Sequence, residues 1–122
     1  MMDARTGLHP FDLEFAKIVR HAKKPALLLA NKCEGKSQED AAYEAYKLGL
    51  GTPICFSAEH GLGLAELYAQ LQQIIEKTKL NTEAEAEEKS NAKNTITVAL
   101  VGRPNVGKST LTNALLGKNR ML

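Results

Sequence analysis

Residues 102–109 read Gly102-Arg103-Pro104-Asn105-Val106-Gly107-Lys108-Ser109, with Thr110 following. Two glycines at this spacing, the second leading into lysine and a hydroxyl, fit G-x-x-x-x-G-K-[ST], the phosphate-cradling P-loop. The glycines let the backbone curl so that successive N–H groups point inward at phosphate oxygens. A helix beginning near Lys108 adds its positive dipole end. In that cradle Lys108 reaches the outer phosphates, and the Ser109 hydroxyl ligates Mg²⁺.

Such a loop needs a strand before it and a helix after it. Residues 95–101 are apolar and β-branched, the composition of a buried parallel strand. Downstream, Leu111, Leu115 and Leu116 are spaced to share one helical face, and Gly117 sits where a C-cap belongs.

The rest of the chain repeats the same alternation. Phe11, Phe15, Ile18 and Val19 predict an inward stripe on a helix over 12–21, with Pro10 at its first turn. The apolar run 26–30 predicts a buried strand that delivers the chain to Asn31-Lys32-Cys33-Glu34. Ser37, with Asp40 as capping partner, predicts the start of a helix to about residue 48, which Gly49 and Gly51 end. Residues 53–56 predict another short strand, opening into Ser57-Ala58. A third helix over about 64–78 turns Leu64, Leu67, Leu71, Ile74 and Ile75 inward. Residues 81–94 are polar and acidic without an apolar face, the composition of a solvated linker that retains some helix propensity. This order predicts an α/β fold with a parallel sheet, whose ligands gather at the carboxyl ends of strands. The loops at Asn31, Ser57 and Gly102 all fall there.

With 122 residues, 43% hydrophobic and 25% charged, the composition is that of one small globular domain. A net charge of +2 does not by itself argue for nucleic acid. Lys17, Arg20, Lys23 and Lys24 form a modest basic cluster that solubility explains equally well. Cys33 and Cys55 lack metal-ligand spacing and read as free thiols. The first residues lack the apolar core of a signal peptide, and no run reaches membrane-spanning length. A cytoplasmic protein is expected.

The loop Asn31-Lys32-Cys33-Glu34 resembles the N-K-x-D motif of GTP-binding proteins, with Glu in the acid position. A carboxylate accepts from the ring N–H and the exocyclic amine of guanine, and adenine offers an acceptor where guanine has that N–H. The resemblance implies that Asn31 meets the base edge and that the Lys32 stem packs along the base plane. Ser57-Ala58 resembles the companion S-A loop, whose Ala N–H meets the guanine carbonyl oxygen. His60, which follows, is given no role.

In a GTPase domain the P-loop comes first and the base-reading loops last, whereas here the order is reversed. That order resembles the junction of the Der (EngA) family, bacterial proteins with two GTPase domains in tandem. Residues 3–12, Asp-Ala-Arg-Thr-Gly-Leu-His-Pro-Phe-Asp, look like the segment after switch II of the first domain. The resemblance implies that residues 1–80 are the C-terminal part of the first domain, 81–94 the interdomain linker, and 95–122 the start of the second. It implies a partial P-loop NTPase fold of the GTPase type, three-layered with parallel strands. It also implies GTP or GDP with Mg²⁺ as ligands, and the large ribosomal subunit as a partner. The first-domain part lacks its own P-loop, its switch I threonine and its D-x-x-G, for which Asp3, without a glycine at the required spacing, cannot stand in. The chain thus looks like an internal fragment with no catalytic residue of its own.

Three readings follow. In the intact protein the chain serves a GTPase of late ribosome biogenesis, with little or no hydrolysis on its own. Alternatively, P-loop and base loops fold into one guanine-nucleotide module of permuted order, residues 95–101 packing beside 26–30. In the third reading it is an inactive piece, prone to self-association through open sheet edges.

Overall fold

The structure, a computed structural model, describes residues 1–85 and 96–117. Three short strands form a parallel sheet in the order β1 (Met2–Asp3), β2 (Leu29–Asn31), β3 (Ile54–Phe56). The register pairs Asp3 with Asn31, and Asn31 with Phe56, so all three strands end level. The strand expected over 26–30 is thus shorter and one residue later, and it carries Asn31 on its last rung. The small parallel α/β architecture agrees with a partial P-loop NTPase fold.

Helices cover both faces. On one face α1 (Pro10–His21), α2 (Lys36–Tyr43) and a 3₁₀ segment (Glu44–Leu48) enclose Met2, Ala16, Ala30, Ala42, Ala45 and Leu48. On the other, α3 (Leu64–Glu85) and α4 (Lys108–Leu116) enclose Leu29, Ile54, Phe56, Leu67 and Leu111. The sheet is thus the middle of three layers. Leu111 is fully buried, so the segment after the P-loop contributes directly to this core.

Several expectations are corrected. The α1 stripe does not face inward as a set: Phe11 and Ile18 are 55% and 64% exposed, while Asp12 and Ala16 are buried. Asp12 is drawn in because its carboxylate caps the helix and meets an arginine from the P-loop. Helix α2 starts at Lys36, with the Gln38 and Glu39 amides donating to the Gly35 carbonyl. Ser37 is therefore inside the helix instead of capping it. Leu116 is exposed, because Leu111 and Leu115 already fill the contact with the sheet. Helix α3 runs on to Glu85, into the first residues of the expected linker. Residues 86–94 of that linker, Thr95 and residues 118–122 lie outside the described residues.

Residues 96–101 form no strand. The segment meets the chain just before β1, where the Met1 nitrogen donates to the Val101 carbonyl at 2.8 Å, and Leu100 packs against the cluster that holds Leu29.

Candidate nucleotide-binding site

The loop after β2 is fixed from both neighbouring strands. The Ala4 amide donates to the Asn31 carbonyl at 2.8 Å, and the Cys33 amide donates to the Phe56 carbonyl at 3.1 Å. Asn31, only 3% exposed, then uses both ends of its side-chain amide. Its Oδ1 accepts from the Ala58 backbone N–H at 3.0 Å, tying the N-K-x-E loop to the S-A loop. Its Nδ2 donates to the Val106 carbonyl at 2.7 Å, reaching the P-loop 75 residues away. A buried carboxamide satisfied at both ends specifies one arrangement, since losing either partner strands a polar group.

Lys32 makes the second link. Its ammonium donates to the Asn105 carbonyl at 3.0 Å and to Asp3 Oδ2 at 2.5 Å. Lys32 and Asn105 both adopt left-handed backbone, at φ 67° and 62°. Non-glycine residues hold that conformation where surrounding contacts over-determine it.

Gly107, at φ +98°, explains why the P-loop needs glycine there. A Cβ at this position would overlap the Asn31 amide nitrogen, so the close approach of the two loops depends on its absence. At Gly102 a Cβ would likewise strike the Met1 carbonyl. The Lys108 ammonium donates to the Gly102 and Arg103 carbonyls at 2.8 and 2.6 Å, spanning the loop's opening turn. Ser109 lies in the first turn of α4 and is partly buried; Pro104 is exposed at the turn.

Between these loops lies a cleft of about 320 Å³ lined by Asn31, Lys32, Ser57, Glu59, Gly107 and Thr110. That volume is at the lower end of small-molecule sites, roughly 300–1,000 Å³. Glu34 is exposed and tied to the cleft through Ser57, whose hydroxyl donates to its Oε1 at 3.2 Å. The Ser57 oxygen in turn accepts from the His60 amide at 3.3 Å, and the His60 ring lies 3.6 Å from Glu34. Cys33 turns away into the core, where burial and then the neighbouring Cys55 thiol push its pKa up to about 12. A glycine cradle beside a cleft with an exposed carboxylate could take a phosphorylated ligand such as a nucleoside diphosphate. Ser109 is the hydroxyl of the motif that could hold a divalent cation.

Two buried carboxylates escaped the sequence reading. Burial alone would raise the Asp3 pKa, but hydrogen bonds from Lys32 and the Arg5 amide outweigh it and hold the carboxyl below its ordinary value. Asp12 accepts from Arg103 Nε at 3.1 Å. The signal for Asp12 was its place at the third position of a helix with Pro at the start, where a capping carboxylate belongs.

A sequence profile for the family described as "50S ribosome-binding GTPase" matches residues 97–122, the P-loop region. Along all of its length the chain aligns with "GTPase Der" of Bradyrhizobium sp. (strain BTAi1), 53% identical over 123 residues. Along its whole length the chain is thus similar to a stretch of GTPase Der proteins. "GTPase Der" of Rhodopseudomonas palustris (strain BisB5) is 49% identical over 127 residues, and that of Azorhizobium caulinodans 47% over 129, each across the whole chain. The chain spans 27–28% of the length of these Der relatives. Among the described residues no helix is long and apolar enough to cross a membrane.

Proposed function

We propose that this chain binds a guanine nucleotide in one composite site. Gly102, Arg103, Pro104, Asn105, Val106, Gly107, Lys108, Ser109 and Thr110 form the phosphate half. Asn31, Lys32, Cys33, Glu34, Ser57 and Ala58 form the base half, with Cys33 acting through its backbone. The Glu34 carboxylate accepts from the guanine ring N–H and exocyclic amine; Lys108 faces the phosphates, and Ser109 offers its hydroxyl to Mg²⁺. Bound Mg²⁺ supplies charge neutralisation between the phosphates. The observation that carries this reading is the Asn31 amide, which donates to Val106 of the P-loop while accepting from Ala58 of the S-A loop.

Hydrolysis by this chain is little or none, because phosphoryl transfer also needs a second Mg²⁺ anchor and a positioned water. The sequence has no D-x-x-G to supply the anchor. Within the longer Der proteins we assign residues 1–80 to the end of one GTPase domain and 95–122 to the start of the next. There the chain serves a cytoplasmic GTPase of late ribosome biogenesis acting on the large subunit. The ribosome-binding description of the matching profile supports that assignment.

Calorimetry with GDP and ADP in Mg²⁺, on monomeric protein, tests the composite site. Selective GDP binding, lost in both Lys108→Ala and Glu34→Ala, is expected. Absence of binding to either nucleotide, or equal affinity for ADP, overturns it.

A further inference from the structure

Arg103 occupies a variable position of G-x-x-x-x-G-K-[ST], where the phosphate cradle asks only for backbone. Its side chain leaves the cradle. Nε donates to Asp12 Oδ1 at 3.1 Å, and Nη2 donates to the Thr6 hydroxyl at 3.2 Å. Asp12 is 4% exposed, and its other oxygen accepts from the His9 backbone amide at 2.9 Å, completing the capping box of α1. One carboxylate therefore both starts a helix and grips a loop 91 residues away. The main chain of the same arginine points the other way: its carbonyl accepts from the Lys108 ammonium at 2.6 Å.

We propose that Asp12 is a positioning residue for nucleotide binding, acting through the Arg103 side chain to hold the carbonyl that aims Lys108. The proposal rests on the guanine-nucleotide reading above and extends it to a residue no nucleotide touches. Asp12 keeps the guanidinium out of the cradle and fixes the first turn of the P-loop against α1. A buried, charge-assisted hydrogen bond suits this task, since charged pairs of this type are stronger and more directional than neutral ones. The loop needs such a fastening because residues 96–101, which lead into it, lack a strand ladder.

The test compares the full 122-residue chain with Asp12→Asn, Asp12→Glu and Arg103→Gln. Amide hydrogen exchange without nucleotide is read first. Exchange at 102–109 should quicken about 10-fold or more in Asp12→Asn and Arg103→Gln, while amides of β2 and β3 keep their rates. Asp12→Glu, which retains the charge, should recover part of the protection. Titration then compares GDP with guanosine. Affinity for GDP should fall about 10-fold in both variants with guanosine binding unchanged, because only the phosphate end is disturbed. Unchanged exchange at 102–109, or equal loss for GDP and guanosine, overturns the positioning role. Should the parent chain itself not bind GDP, the nucleotide reading fails, and the exchange rates alone still decide whether Asp12 fastens the loop.

Discussion

The two halves of the candidate site are held by different forces. Asn31, Lys32, Ser57 and Ala58 follow strands whose backbones are hydrogen-bonded in register, with Ala30 fully buried between its neighbours. The P-loop half, 96–117, has no ladder. It is attached by the Met1 nitrogen at Val101, the Asn31 amide, the Lys32 ammonium, the Arg103 bonds to Asp12 and Thr6, and the buried Val106 and Leu111. Backbone pairing places a loop through many small, redundant bonds, whereas side-chain attachment concentrates the same task in few residues. The P-loop half should therefore open at lower free energy than the base half.

The largest break is expected in the core contact. Leu111→Ala, at a fully buried side chain, should cost about 2–5 kcal/mol of stability in denaturant titration. Leu116→Ala, on the exposed side of the same helix, should stay within about 0.5 kcal/mol. Similar losses for both would mean that α4 is not packed on the sheet.

Asn31→Ala comes next. It strands the Val106 carbonyl and the Ala58 amide, each at a penalty of about 1–3 kcal/mol if no water replaces the partner. Hydrogen exchange should show protection lost over the P-loop, with β2 and β3 retained. Uniform loss across the chain would erase the contrast between the halves.

A smaller effect sharpens the comparison through pH. The Asp3 carboxyl lies below its ordinary value when folded, so the native state favours its ionised form. The stabilisation is complete above the unfolded carboxylate range and is lost as pH falls through the lower, folded value. Acid should therefore release Lys32 from Asp3, and Asp3→Asn should remove that part of the acid limb. Cys33 gives the opposite limb and belongs to the base half. Its pKa of about 12 means stability falls as pH rises above the ordinary thiol range toward that value, and Cys33→Ala should flatten the decline. An alkaline limb unchanged in Cys33→Ala would contradict the assignment.

The sequence was legible where chemistry constrains residue type. The Gly102-to-Ser109 pattern, the apolar runs before Asn31 and Ser57, and Gly117 as a C-cap at φ 60° follow from local rules that the fold keeps. It was less legible where a distant partner decides. Phe11 and Ile18 sit at helical spacing, yet α1 turns Asp12 inward because Arg103 waits there. The 95–101 run has strand composition, but the described residues 96–101 form no strand, and their backbone meets the chain at Met1, just before β1. Asp3 does not fit D-x-x-G, and its role beside Lys32 depends on the register of β1 against β2.

In the composite site both halves act on one ligand. Backbone amide NMR during a GDP titration tests it most directly, following Ala58 in the base half and Gly107 in the P-loop half. Both resonances should shift with a single dissociation constant. Movement of one without the other, or two distinct constants, would contradict it.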